Sequence, residues 1–308
     1  MTKPRSRVAD YAVYMVVRVF VAFVQALSLR KAFALAGVLA WLLYRIDRRH
    51  REVALDNLKF AFPGQMTQSQ REELVWGVYE HFCGLLMEIV HLPRKLHPQT
   101  WRRYVDLKDG CKIVDRLLSD RPLMIVTGHF GNWEMGGYIL GLLGFKVHAV
   151  ARPLDNPYLD DFLRSFRERT GQNVLAKKGD FEEMQSLLVS GGVLATLADQ
   201  DAGQRGLFVD FFGRPASTHK AMALMALEYQ VPIVVAVARN VGGPMRYEII
   251  SDELILPEEY SGRGDAVRAI TQRFTAALER VVRSAPEQYF WLHRRWKHQP
   301  SKPRKKVA

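Results

Sequence analysis

The chain has 308 residues, 48% of them hydrophobic and 25% charged, enough for one large α/β domain or two small ones. Its net charge of +12 is uneven: +8 over residues 1–51, +7 over 293–308, and −3 between them. A nucleic-acid binder carries its basic patch on the folded domain; positive flanks around a near-neutral middle suit attraction to anionic headgroups instead, and nothing in the chain is apolar enough for a polytopic membrane protein.

The N-terminus opens with "YAVYMVVRVFVAFVQALSL", Tyr11 to Leu29, interrupted only by Arg18 and Gln25. Its 19 residues approach the length of a spanning helix. Arg18 makes a fully lipid-exposed span costly, and the chain turns apolar again at "AFALAGVLAWLLYRI", so a cleaved leader is the poorer reading. A membrane-embedded or interfacial helix is expected, with "RIDRRHR" (residues 45–51) favouring a cytoplasmic main domain. The two cysteines, Cys83 and Cys111, lack ligand spacing and read as reduced structural thiols.

"REVALDNLKFAFPG" reads as a helix ending at Pro63-Gly64. "TQSQREELVWGVYEHFCGLLMEIVHL" repeats apolar residues at helical spacing. His81, Glu88 and His91 lie on that helix, and satisfied or solvent-facing side chains are the natural reading for them, ahead of a metal site. From residue 120 strand and helix signals alternate. "RPLMIVTG", "KVHAVARP", "VLATLADQD", "PIVVAVARN" and "MRYEIISDELIL" read as strands. "NWEMGGYILGLLG", "NPYLDDFLRSFRERTG", "FEEMQSLLVSGG", "STHKAMALMALEYQ" with Ser217 as its cap, and a long final segment read as helices. This order gives an α/β fold with a mostly parallel central sheet flanked by helices. Three regions follow: residues 1–50 membrane-associated, 51–296 the main domain, and 297–308 a basic tail of disordered composition.

The chemistry concentrates in "TGHFGNWEMGG", residues 127–137. Strand ends of open α/β sheets are where ligands bind. His129 on the turn and Glu134 in the first helical turn are placed to meet there. A neutral imidazole takes a proton from a hydroxyl, and a carboxylate on its other nitrogen fixes the tautomer. Gly128 and Gly131 suit close approach of a substrate, and Asn132 suits a helix cap beside an oxyanion or phosphate. Arg152 ends the next strand; Arg164 and Arg167 share a helix face, a set suited to phosphate or carboxylate. Asp199 and Asp201 end another strand. Their spacing suggests a metal but lacks downstream ligands, so they are read as positioning the arginines or a sugar hydroxyl. "GLFVDFFG" puts Leu207, Phe208, Phe211 and Phe212 on a loop suited to an acyl tunnel or the bilayer surface. The sequence contains no Gly-x-Ser-x-Gly, Walker A or Rossmann fingerprint.

Together, "LDNLKFAFPG", "TGHFGNWE", "ARPLDNPYLDDFL", "LADQD", "GLFVDFFGRPAST" and "YFWLHRRWK" resemble the bacterial lipid A biosynthesis acyltransferases of the late lauroyl/myristoyl type. "HFGNWE" fits that family's His-x4-Glu signature, a variant of the His-x4-Asp of glycerolipid acyltransferases. The resemblance implies a glycerolipid-acyltransferase-like fold, His129 as general base with Glu134 as partner, and Arg164, Arg167, Asp199 and Asp201 at or near the active site. It implies transfer of a fatty acyl chain from a thioester, on acyl carrier protein, to a hydroxyl of a lipid A precursor. That reaction needs no metal and no cofactor beyond the thioester co-substrate, and belongs on the cytoplasmic side of the bacterial inner membrane, the acceptor anchored in the inner leaflet. Rival readings are another glycolipid or aminolipid acceptor, such as a phosphatidylinositol mannoside or an ornithine lipid; a non-enzymatic lipid-binding protein; and a metal-dependent hydrolase using His129, Asp199 and Asp201.

Overall fold

A computed structural model describes residues 6–107, 111–119, 121–169, 171–176 and 180–300. Residues 301–308, most of the basic tail, lie outside the described residues, as does the Cys111 side chain.

Four helices lead the chain: α1 (Arg7–Ala26), α2 (Leu29–Ile46), α3 (Arg48–Ala61) and α4 (Gln68–Lys95). The division expected at residue 50 falls inside α3. α4 starts with a capping box between Thr67 and Gln70. α2 packs along α4 through Ala32, Ala36 and Ala40, fully or almost fully buried at four-residue spacing.

α1 has two sides. At about 100° per residue, Tyr11, Tyr14 and Arg18 share one face. That face meets α7 (Pro157–Glu168): the Tyr11 and Tyr158 ring centroids are 5.3 Å apart, and Asn156 Nδ2 donates to Asp10 O at 2.8 Å. Arg18 donates to Tyr14 Oη at 2.7 Å and lies over the Phe162 ring. The charge inside the apolar stretch is therefore housed against the protein. The opposite side exposes Val8, Val16, Val19 and Phe23. Among the described residues α1 is the one helix long and apolar enough to cross a membrane.

The α/β region holds β1 (Val105–Asp106), α5 (Cys111–Leu117), β2 (Leu123–Thr127), α6 (Trp133–Leu142), β3 (Val147–Ala151), β4 (Gln172–Ala176), α8 (Phe181–Val189) and β5 (Val193–Leu197). It continues with β6 (Leu207–Phe211), β7 (Arg214–Thr218), α9 (Ala221–Tyr229), β8 (Ile233–Asn240), β9 (Tyr247–Ile255) and α10 (Ala266–Ser284). Seven strands form a sheet in the order β1-β9-β8-β2-β5-β3-β4. Within this sheet, among the described residues, only β8/β9 pair antiparallel; β6 and β7 form a separate antiparallel pair. The mostly parallel sheet expected from the sequence is present.

Helices cover both faces, which is why Leu123 to Val126 of β2 are all apolar and buried rather than alternating. Leu123 and Ile125 point to the α6 side; Met124 and Val126 point to the other. From β2 the chain crosses to β3 and β4, returns to β5 beside β2, and later adds β8 on the other flank of β2. The direction of winding reverses at β2, and the crevice above its C-terminal end is the ligand-binding place of such folds.

The structure corrects two local expectations. Ser217 does not cap a helix: it lies in β7, and its Oγ donates to Gly203 O at 2.5 Å. The segment "GLFVDFFG" is not an apolar loop lining a tunnel. It forms β6 and the two-residue turn Phe212-Gly213, both at positive φ, the geometry that matches the twist of a hairpin. Phe211 and Phe212 are buried there against Trp296 and Trp291. β4, beginning at Gln172, is a strand the sequence pattern did not announce.

Candidate active site

Two parallel strands bring the site together. In the β2/β5 register Thr127 stands opposite Leu197, and Ala198 N donates to Thr127 O at 2.9 Å. Two residues further along each chain, His129 and Asp199 are level. Asp199 Oδ1 lies 2.8 Å from His129 Nδ1, and Asp199 Oδ2 accepts the His129 backbone N–H at 2.9 Å. The Asp199 side chain is 1% exposed, that of His129 21%. A Cβ on Gly128 would sit 3.4 Å from this side chain, an ordinary van der Waals contact.

Burial pushes the Asp199 carboxyl up, but the charge and hydrogen bonds of His129, with the charge of His293, hold it far below the usual carboxylate range. Burial opposes protonation of His129, yet Asp199 and, behind it, the charge of Glu134 raise its affinity for a proton. An ionised carboxylate only accepts, so Nδ1 carries the proton and Nε2 is left with its lone pair. Near Nε2 stands the Gln200 amide, at 3.5 Å. The ring is steadied by Trp133 and Phe290, with centroids 5.1 Å and 6.1 Å away.

This overturns the pairing expected inside "HFGNWE". His129 sits on the turn and Glu134 in the first turn of α6, as read from the sequence, but their side chains do not bond. The Glu134 carboxylate accepts from Arg167 Nε at 3.0 Å and Arg167 Nη2 at 2.5 Å. The reason is direction: α6 points Glu134 toward α7, whose Arg167 offers a bidentate fork, while Asp199 already occupies Nδ1. Glu134 acts on His129 through its charge.

Gly131 is also corrected. Its φ is +57°, and a Cβ there would lie 1.9 Å from Ala238 O. The glycine lets the turn approach β8, where Asn132 N donates to Ala238 O at 2.9 Å; a substrate is not needed to explain it. Asn132 caps α6 as expected, accepting from Met135 N at 2.8 Å.

A layer behind the cap went unread in the sequence. Asn132 Nδ2 donates to Glu88 Oε2 at 3.1 Å, Met245 N donates to Glu88 Oε1 at 2.6 Å, and Tyr247 Oη also donates to Glu88. Burial raises the Glu88 carboxyl against these three bonds. His81 reaches Gly131 O, and burial lowers it to about 4; His91 Nδ1 bonds Met87 O. These are the satisfied helix residues expected.

The C-terminal segment closes the site. Phe290 N donates to His129 O, and the half-buried His293, whose Nδ1 bonds Phe290 O, lies within electrostatic reach of Asp199. Arg295 donates to Ser217 O and Thr218 Oγ1. "YFWLHRRWK" therefore belongs to the site's wall.

Of the remaining candidates, Arg152, Arg164 and Arg167 converge on one small cavity of about 120 Å³. Arg152 also pairs with Asp155, and Arg164 donates to Val174 O. Asp201 does not reach these arginines. It bonds His298 Nδ1 at 2.6 Å and Gly203 N at 3.2 Å, tying the post-β5 loop to the C-terminal segment. Among the described residues no three His, Cys, Asp or Glu side chains gather as a metal site requires.

Beneath the His129 end of the sheet runs an apolar cavity of about 110 Å³ on the α6 side. Thr127, Trp133, Glu134 and Arg167 line its upper end; Ile125, Ala149 and Ala195 line its middle. The space is written in small side chains. Ala149, Ala195, Ala236 and Ala238 occupy strand positions that β-branched residues normally fill, and Gly136 and Gly137 face them from α6.

Sequence comparison agrees with this geometry. The family model for bacterial lipid A biosynthesis acyltransferases matches residues 1–298. The chain is similar to a lipid A biosynthesis lauroyltransferase of Escherichia coli K12, with 28% identity over 84% of this chain and 83% of the relative. It is similar to a lipid A biosynthesis palmitoleoyltransferase of the same organism, 25% identical over 82% and 80%. A phosphatidylinositol mannoside acyltransferase of Mycobacterium tuberculosis is 25% identical over 73% and 71%. A histidine held by a buried carboxylate above an apolar cavity, and a family match across nearly the whole chain, lead to one conclusion: this protein is an acyltransferase acting on a lipid acceptor, a member of the bacterial lipid A biosynthesis acyltransferase family.

Proposed function

We propose that the protein moves a fatty acyl chain from acyl carrier protein to a hydroxyl of a lipid A precursor at the inner leaflet of the bacterial inner membrane. The observation that carries this reading is the pairing of His129 with Asp199 at the end of β2, directly above the apolar cavity.

The acyl chain lies in the cavity with its thioester carbonyl at the upper end. His129 Nε2 takes the proton of the acceptor hydroxyl as its oxygen attacks the carbonyl carbon. The C–S bond then breaks, and the imidazolium returns the proton to the departing sulfur, leaving an ester and a free thiol. Asp199 keeps the tautomer and stabilises the imidazolium, and such a base contributes roughly 10²–10⁴ in rate. The Arg152/Arg164/Arg167 cavity suits a phosphate or carboxylate of the acceptor headgroup. The basic flanks suit an acidic carrier protein and an anionic leaflet. The exposed apolar side of α1 suits the bilayer. The scheme uses no cofactor besides the thioester.

Mass spectrometry tests it. Purified protein in detergent receives a mixture of acyl-carrier-protein thioesters and a Kdo-bearing lipid A precursor, beside His129→Ala. One added acyl chain, absent with the variant, supports the proposal. No transfer by folded wild type removes this acceptor. The likeness to a phosphatidylinositol mannoside acyltransferase makes a phosphatidylinositol mannoside the second acceptor to offer.

A further inference from the structure

The apolar cavity ends on a polar group. Gln172 opens β4 opposite Val147, the first residue of β3, so both lie at the end of the sheet away from His129. Four residue steps of β3 separate Val147 from Ala151 at the top, about 13 Å at strand rise. Gln172 is 4% exposed and lines the cavity, and its Nε2 has no hydrogen-bond partner among the described residues.

α6 is shaped around this amide. A Cβ on Gly137 would lie 2.7 Å from both Nε2 and Oε1 of Gln172. Gly137 has an ordinary helical backbone, where glycine weakens a helix relative to alanine. The amide thus rests on bare helix backbone, in a cavity that Ile139, Leu140, Leu143 and Val147 also line.

We infer that Gln172, seated against Gly137, is the polar floor that fixes the longest acyl chain the enzyme accepts. This rests on the reading of the cavity as the acyl site. A chain ending short of Gln172 does not meet the amide. A longer chain must bury its methyl group against a polar group that has no partner, a worse contact than an apolar floor would give. The discrimination comes from a stranded polar group as well as from lack of room.

The test is a competition among thioesters of eight to eighteen carbons, reading the ratio of products in one reaction. Melting of the full chain with each thioester alone gives a second readout that needs no acceptor. Gln172→Leu keeps the bulk and removes the amide; the yield of the next longer chain relative to the preferred one should rise about tenfold. Gly137→Ala pushes the amide into the cavity and should move the preference to shorter chains. A folded Gln172→Leu protein with the wild-type chain-length profile, in a wild type that discriminates, overturns this inference alone. A folded wild type that neither turns over nor is stabilised by any thioester overturns the acyl-cavity reading and this inference with it.

Discussion

One carboxylate, Asp199, holds His129 at two points: Oδ1 at the ring Nδ1 and Oδ2 at the backbone N–H, 2.8 and 2.9 Å away. The second bond stiffens the turn that carries the ring. The His129 ring is thus oriented by the residue that follows the neighbouring strand β5 rather than by its own helix, and Asp199 and Glu134 acquire separable positions around it.

Asp199→Asn keeps the shape but removes the charge and the tautomer control. Turnover should fall by about 10²–10⁴. Since His129 in the wild type has a raised proton affinity, the acid limb of the rate profile should lie above the free imidazole value of about 6.5 and move down in the variant. Stability has its own pH window. The raised His129 stabilises the fold below about pH 6.5 and loses this as pH rises through its folded value; the depressed Asp199 stabilises it above about pH 3.9 and loses this as pH falls through its folded value. The gap in unfolding stability between wild type and variant should therefore be widest between about pH 4 and 6.5. A variant with near wild-type turnover and an unmoved acid limb removes Asp199 from the mechanism.

Glu134 and Arg167 form a largely buried bidentate pair, with side chains 7% and 16% exposed. Removing either partner alone strands a charge and should cost about 3–5 kcal/mol, read by chemical denaturation. Glu134→Gln with Arg167→Met together should cost less than the sum of the two. Because Glu134 reaches His129 only through its field, Glu134→Gln should lower turnover less than Asp199→Asn does. The opposite ranking, in equally folded variants, restores Glu134 as the direct partner.

The difference between what was legible in the sequence and what was not follows from distance along the chain. Asn132 as a cap, β2 as a buried strand and His129 on the turn rest on neighbouring residues, and each is found. The partner of His129 lies 70 residues away, fixed by the parallel register of β2 and β5 with β3 and β4 intervening in sequence. "VTGH" and "TLAD" do carry the signal, since each places its polar residue just past a strand end, but strand order is needed to read it. Ser217 misled because "ST" before a helical pattern imitates a cap, when both residues finish a hairpin strand. Glu88 looked like one more polar residue on a helix until Met245 and Tyr247, far away in sequence, closed around it.

That Glu88 network predicts a stability effect remote from the chemistry. Glu88→Leu orphans Asn132 Nδ2, Met245 N and Tyr247 Oη, at about 1–3 kcal/mol for each group left unsatisfied. Glu88→Gln should cost less. Its deficit should also shrink as pH rises, because the raised Glu88 keeps its proton in the folded state where the unfolded chain has released it, and the wild type then loses stability. A deficit that is constant with pH contradicts the buried, proton-retaining state.

The apolar side of α1 predicts the mode of membrane contact. Val16, Val19 and Phe23 are 70%, 65% and 55% exposed, on the side opposite the tyrosines that face α7. Replacing all three with aspartate should leave the α7 contacts and the melting transition intact. It should abolish flotation with vesicles containing anionic lipid. Adding salt to the wild type should weaken flotation only in part, because screening removes the contribution of the basic flanks and leaves apolar burial. Arg18→Leu acts on the other side of the helix. It removes the bond to Tyr14 and the contact with Phe162, so it should loosen α1 from α7, detected as faster proteolysis within α1, while flotation persists. Flotation unaffected by the three aspartates would show that the membrane is met by some other surface, with the exposed side of α2 around Trp41 and Leu42 the next to replace.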